Sequence, residues 1–200
     1  MKLVLENLSK SFPGRRVFQN ISAQIEQGKT LVVTGPNGSG KTTLIKIICS
    51  LLPASSGKVI FQYNGNNYTD AEIQPYIGCI APDLFLYDEL TAMENLGFFA
   101  SVSNIKKPDI KMLLDKYGLM GRGKDLVKSY SSGMKQRLKY ILALMRNPQI
   151  LLLDEPAVNL DEQGKRMVDE VIRDHKGIAV IATNNKDELK YADYTINLGQ

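Results

Sequence analysis

The most constraining feature of this 200-residue sequence is the glycine-rich segment Gly35–Thr42, which reads GPNGSGKT. It fits the pattern G-x-x-x-x-G-K-[ST], in which glycines let successive backbone N–H groups turn toward phosphate oxygens. A β-branched run, Thr30–Thr34, precedes the segment, and apolar residues at helical spacing follow it. The loop is therefore predicted to join a strand to a helix whose positive end faces the same phosphates, as in a nucleotide site.

Two side chains of this loop have predicted roles of their own. Lys41 is expected to reach the β- and γ-phosphates, and Thr42 to offer its hydroxyl to Mg²⁺. The residues predicted to contact the nucleotide here are Gly35, Pro36, Asn37, Gly38, Ser39, Gly40, Lys41, Thr42 and Thr43.

Two acids follow the apolar run Ile150–Leu153, which is typical of a central parallel strand covered on both faces. Ligands bind at the carboxyl ends of such strands. Asp154 is predicted to hold Mg²⁺ opposite Thr42, through a water molecule, and Glu155 to orient or deprotonate the attacking water. The sequence thus predicts a catalytic pair, Lys41 and Glu155, beside a magnesium site.

The composition is that of an ordinary globular chain, with 44% hydrophobic and 23% charged residues. The longest apolar run, Tyr140–Met145, is far too short to cross a bilayer, and no secretory signal is visible. We therefore expect a protein that stays inside the cell. The net charge of +4 is scattered along the chain, so we expect no nucleic-acid partner.

Strand and helix patterns alternate along the chain. Leu3–Leu8 and Ile21–Ile25 alternate apolar and polar residues, like antiparallel strands. The helix after the glycine-rich loop is predicted to continue to Leu52, before Pro53. The further predicted elements are strands at Gly57–Tyr63, Ile77–Ile80, Ile178–Thr183 and Tyr194–Leu198, and helices at Ala92–Ala100, Ile110–Tyr117, Gly133–Arg146, Asp161–Lys176 and Lys186–Tyr191. This order favours an α/β fold with a parallel sheet.

The segment Tyr130–Arg137, which reads YSSGMKQR, gives the chain a specific resemblance. With the glycine-rich loop before it and Asp-Glu-Pro after it, the chain resembles the ATP-binding subunit of an ATP-binding-cassette (ABC) transporter. The resemblance implies a P-loop NTPase (RecA-like) α/β core at 1–87 and 147–200, in which a mixed sheet carries an N-terminal antiparallel β subdomain. It also implies an inserted α-helical subdomain at 88–146.

The resemblance also implies how the protein works. ATP and Mg²⁺ bind between two nucleotide-binding subunits packed head to tail, here a homodimer, and Ser131 and Gly133 of one copy complete the γ-phosphate site of the other. A separate transmembrane permease is the second partner, which places the protein in the cytoplasm, peripheral on the inner face of the membrane.

Further matches are carried over by position. Phe12 stands where the family has an aromatic that stacks on adenine, and Asn159–Asp161 resembles the loop through which paired subunits sense each other. Leu90–Leu96 resembles the start of the helical insertion, and with Phe98 and Phe99 it is a predicted dock for the membrane partner.

Two departures from the family pattern bear on ATP hydrolysis. Pro82 falls where a glutamine ligand to Mg²⁺ is usual, and a one-residue slip would bring Asp83 to the metal instead. Asn184 stands where a histidine contacts the γ-phosphate, and its amide can donate a hydrogen bond but cannot take up a proton and become positively charged. These departures predict slow or partner-dependent ATP hydrolysis.

Two alternatives stay open from the sequence. The first is an ATP-switched binding or regulatory module with little hydrolysis, which Pro82 and Asn184 favour and Glu155 opposes. The second is a soluble ABC ATPase of the ribosome or DNA-repair type. Such proteins usually carry two cassettes or long coiled-coil insertions, which this chain lacks.

Overall fold

The computed structural model describes residues 1–81, 84–105 and 108–199. The strands are β1 (Lys2–Phe12), β2 (Arg15–Glu26), β3 (Thr30–Thr34), β4 (Ser56–Tyr63), β5 (Asn66–Tyr68), β6 (Ile77–Ile80), β7 (Ile150–Asp154), β8 (Ile178–Ala182) and β9 (Tyr194–Asn197). The α-helices are α1 (Lys41–Ile48), α2 (Asp70–Ile73), α3 (Ala92–Val102), α4 (Ile110–Lys116), α5 (Ser132–Leu144) and α6 (Glu162–Asp174). Short 3₁₀ segments lie at Gln74–Tyr76, Val127–Ser129 and Lys186–Tyr191.

Two sheets organise these elements, and the predicted fold class is confirmed. One is antiparallel, in the order β2-β1-β4-β5, and the other is parallel, in the order β6-β7-β8-β3-β9. The strand β8 lies between β3 and β7 although it follows both in the chain. The carboxyl ends of these three neighbours therefore share one edge of the sheet.

The parallel sheet is buried on both faces, as the apolar run of β7 predicts. Ile150 and Leu152 face a core shared with α1 and the antiparallel sheet, whereas Leu151 and Leu153 face the core beneath the helices α3 to α5. The helices predicted between residues 88 and 146 are thus present, while the limits of a helical subdomain stay a prediction. Within the described residues, no helix has the length and apolar content to span a membrane.

The helix after the glycine-rich loop is shorter than predicted. It ends at Ile48 rather than Leu52, because Ser50 adopts a left-handed backbone (φ 57°) that stops helical hydrogen bonding. Leu51, which the periodicity places on a helix, is instead 69% exposed. The segment Lys186–Tyr191 is a 3₁₀ helix, and β5 and α2, only three and four residues long, have no counterpart among the predicted elements.

Candidate functional site

The glycine-rich loop joins β3 to α1, as its pattern predicts. Gly35, Gly38 and Gly40 all have positive φ angles, which an L side chain rarely adopts. At Gly40 a Cβ would also meet the side chains of Val17 and Phe18. The loop therefore takes a conformation that only glycine permits at these positions, with β2 packed against its outer side.

Lys41 folds back over this loop. Its Nζ donates hydrogen bonds to the carbonyl oxygens of Gly35 at 2.8 Å and Pro36 at 3.1 Å, and only 6% of the residue is exposed. The ammonium group is thus held above the loop as a fixed positive charge.

Thr42 and Asp154 meet at the start of α1. The Thr42 hydroxyl donates to the Asp154 carboxylate at 2.5 Å, although 112 residues separate them in sequence. Asp154 ends β7, and only 2% of it is exposed. Both side chains offer the hard oxygen atoms that Mg²⁺ prefers, so they fit the predicted magnesium site. Among the described residues there is no group of three or more His, Cys, Asp or Glu side chains that could hold a metal ion.

Glu155 follows β7 with a left-handed backbone (φ 51°), and its N–H donates to the Ala182 carbonyl at 2.8 Å. Burial raises the pKa of its carboxyl group; Lys41 lowers that pKa, Asp154 raises it, and the Asn184 backbone N–H lowers it. Glu155 is therefore a half-buried acid next to the charges of the phosphate loop.

Asn184 follows β8, and its Nδ2 donates to the Asn37 Oδ1 of the glycine-rich loop at 3.0 Å. The residue at the usual histidine position thus touches the loop directly. This contact exists because β8 lies next to β3.

A cavity of about 440 Å³ lies between the glycine-rich loop, the two acids and Phe12, and Asn184 does not line it. It is lined by Phe12, Arg15, Val17, Asn37, Gly38, Gly40, Lys41, Thr42, Thr43, Asp154 and Glu155. Phe12 is 45% exposed at its mouth. The buried Ser39 hydroxyl has no hydrogen-bond partner in the described part of the chain. The loop therefore contains an unsatisfied polar atom. A triphosphate fits the combination of glycine backbone and one lysine that lines the cavity.

Sequence reasoning missed Arg15 and Val17. Phe12 pairs with Arg15 across the β1–β2 turn, and the Arg15 Nη2 donates to the Gly38 carbonyl at 2.7 Å. The Pro13–Gly14 turn signal predicts such a hairpin, and with it that Phe12 and Arg15 lie side by side.

Ser131 and Gly133 do not line this cavity. Ser131 caps α5 and accepts a hydrogen bond from the Met134 N–H at 3.2 Å, while a Cβ at Gly133 would lie 3.0 Å from the Asn159 carbonyl oxygen. The helix start therefore packs against the Asn159–Asp161 loop of its own chain. Arg137 strengthens that contact through an ion pair with Asp161 at 2.8 Å.

Two predicted positions cannot be placed in this geometry. Pro82 and Asp83 lie outside the described residues, so the role of Asp83 as a metal ligand stays a prediction.

The start of α3 is held by hydrogen bonds between side chains and backbone. Thr91 and Glu94 form a capping box, and the buried Asn95 side chain accepts from the Tyr87 N–H and donates to the Tyr87 carbonyl. These bonds hold a cluster of aromatic rings in mutual contact, namely Phe85, Tyr87, Phe98 and Phe99. Phe85 is 72% exposed, so part of this apolar cluster is open to solvent.

Comparison with known proteins agrees with this geometry. The family model described as ABC transporter matches residues 18–158. The lantibiotic transport ATP-binding protein SrtF of Streptococcus pyogenes is 36% identical over 174 residues, which cover 87% of this chain and 75% of that protein. The cytochrome c biogenesis ATP-binding export protein CcmA of Albidiferax ferrireducens is 33% identical over 198 residues, which cover 94% of this chain and 91% of that protein.

A solved structure of a putative ABC transporter ATP-binding protein from Pyrococcus furiosus superposes with a TM-score of 0.82 at 28% identity, covering 99% of this chain and 98% of that one. The sequence match, the shared fold and the phosphate loop facing two acids all agree. The chain therefore belongs to the ABC transporter family, as one of its ATP-binding subunits.

Proposed function

We propose that the protein binds ATP with Mg²⁺ and hydrolyses it to ADP and phosphate in the cavity described above. The observation that carries this proposal is the 2.5 Å contact between Thr42 and Asp154, with Lys41 and Glu155 lining the same cavity. The cavity thus contains a hydroxyl and a carboxylate that can bind a metal ion, the Lys41 ammonium group and the Glu155 carboxylate as a base.

Each group has a distinct task. The loop N–H groups and Lys41 bind the phosphate tail and stabilise the charge that develops on it. Bound Mg²⁺ would neutralise phosphate charge, held by Thr42 and Asp154. Glu155 accepts the proton of the attacking water, and Phe12 stacks on the adenine ring at the mouth of the cavity.

We propose further that two copies pack head to tail around ATP. Ser131 is exposed, so the amino-terminal end of α5 is open to a second molecule. Helix amino-termini attract phosphate. Ser131 and Gly133 do not line the cavity of their own chain, which supports the proposal that they act in the site of a partner copy.

A membrane-spanning permease is the second proposed partner. The partly exposed aromatic cluster Phe85, Tyr87, Phe98 and Phe99 offers it an apolar surface held in place by the α3 capping box. Docking there would keep the protein in the cytoplasm, on the inner face of the membrane. The two relatives above carry different transport names, so we propose no cargo.

Hydrolysis by the isolated protein is expected to be slow. Asn184 holds Asn37 through its amide and offers no titratable proton near the phosphates. Steady-state phosphate release from the purified protein tests this expectation. We expect well under about one turnover per second, below the usual range for enzymes, and a rate above ten per second without any membrane subunit contradicts it.

Arg15 should contribute to ATP affinity. Its guanidinium group lines the cavity beside Gly38 and carries a charge that attracts phosphate. We expect Arg15→Ala to weaken ATP binding by about 5- to 10-fold, as fits about 1 kcal/mol. Arg16→Ala is the matched control, because Arg16 bonds to Gln19 instead of the loop. Fluorescent nucleotide titration measures both, and equal affinities in the two variants contradict the role of Arg15.

Asn184 also supports a second candidate function. In it, ATP closes the dimer, hydrolysis is negligible and the result is a contact with another protein. The half-buried Glu155 carboxylate next to Lys41 argues against it, because a module without hydrolysis needs no base. The two candidate functions predict different results when the Glu155 carboxylate is replaced by an amide. If Glu155→Gln turns an ATP-treated monomer into a stable dimer, hydrolysis normally opens that dimer.

A further inference from the structure

Glu188 is a buried carboxyl group to which the proposed mechanism gives no role. It lies on the 3₁₀ segment Lys186–Tyr191, and only 6% of it is exposed. Its Oε2 atom has no hydrogen-bond partner within the described ranges. Burying an unsatisfied carboxyl group costs stability, so its presence there calls for an explanation.

The Glu188 carboxyl group faces two loops. Burial raises its pKa most strongly, and the nearby Glu155 raises it further, whereas the Thr183 hydroxyl, the Ala157 backbone N–H and Lys190 lower it. Thr183 is itself fully buried, and its hydroxyl oxygen accepts from the Asn185 N–H at 2.9 Å. The hydroxyl hydrogen is therefore available to Glu188.

These loops are the two that carry Glu155 and Asn184. Ala157 lies two residues after Glu155, and Thr183 directly precedes Asn184. On the cavity side the loops already touch, because the Glu155 N–H donates to the Ala182 carbonyl at 2.8 Å. Glu188 lies beside both loops, because it lines a second cavity, of about 390 Å³, together with Glu155, Ala157 and Asn184.

The backbone of Glu155 needs such support. A left-handed backbone at a non-glycine residue costs about 1–3 kcal/mol and persists only where the surroundings impose it. The Tyr140 hydroxyl holds Pro156 by donating to its carbonyl at 3.0 Å. The next residue along the chain, Ala157, lines the second cavity beside Glu188.

We propose that Glu188 is a positioning residue, which ties the Ala157 and Thr183 loops together and so fixes the direction of the Glu155 carboxylate. The proposal rests on the proposed function, because it needs Glu155 to act on water. Glu188 does not line the nucleotide cavity, so its effect should be on turnover and not on ATP binding.

Two variants of Glu188 test this role. Glu188→Leu removes the acceptor oxygens while keeping much of the volume, and we expect kcat to fall about 10- to 100-fold, as misplacement of a catalytic group does. KM for ATP should stay within about twofold. Glu188→Gln keeps one acceptor oxygen for Ala157 and Thr183, so its kcat should stay within about threefold of the parent.

A purely structural role predicts a different pattern. If Glu188→Leu keeps the parent kcat, or if Glu188→Gln loses as much activity as Glu188→Leu, the positioning role is wrong. Should Glu188→Leu fail to fold, Thr183→Val removes the facing hydroxyl instead; a lower kcat at constant KM supports the role, and an unchanged kcat contradicts it. Phosphate release by the parent protein separates the two proposals: a parent that releases none overturns the proposed function, whereas full activity of Glu155→Gln removes only the role of Glu155 as the base.

Discussion

Changing Glu155 to glutamine should lower the rate of ATP hydrolysis by about 10²- to 10⁴-fold, the usual contribution of a general base. The amide keeps the shape of the side chain and can still accept from the Asn184 N–H, but it cannot take a proton from water. The affinity of Glu155→Gln for ATP should stay close to that of the parent, because Lys41 and the glycine-rich loop are unchanged. Single-turnover hydrolysis and nucleotide titration measure the two effects separately.

The control for this variant is Glu170→Gln, which removes the same charge from an exposed position on α6. It should hydrolyse ATP at the parent rate. A Glu155→Gln protein that also matches the parent rate would show that another group activates the water.

Changing Lys41 to alanine should weaken ATP binding by about 10- to 150-fold, because hydrogen bonds to charged groups contribute about 1.5–3 kcal/mol. At saturating ATP the hydrolysis rate should fall by a further 10²-fold or so, as when one donor to a developing charge is removed. Lys41 also donates hydrogen bonds to two loop carbonyl oxygens, so the variant loses two contacts within the loop.

Thermal unfolding should show that Lys41→Ala remains folded, and Lys111→Ala, an exposed lysine on α4, is the matched control. If Lys41→Ala binds ATP as tightly as the control, the loop is not a phosphate site.

The parts of the site that were predictable lie within short stretches of sequence. The conformation around Gly35–Thr42 follows from local glycine spacing, and the burial of Asp154 follows from the apolar strand before it. Both signals are local, so their interpretation needs no knowledge of strand order.

The remaining features depend on how distant segments meet. The contact between Asn184 and Asn37 exists because β8 inserts between β3 and β7, and no local pattern specifies that order. Glu188 lies in the charged segment Lys186–Lys190, which is typical of a solvated helix face, and only the folded structure shows that this residue is buried. The early end of α1 depends on the single backbone angle of Ser50.

The most direct test of the central claim is sedimentation of Glu155→Gln with and without ATP and Mg²⁺. A site shared between two copies predicts a monomer of 22.3 kDa without nucleotide and a species of about twice that mass with ATP. Adding Ser131→Arg, which blocks the start of α5, should abolish that species. A protein that saturates with ATP and yet remains a monomer at every concentration would contradict the shared site.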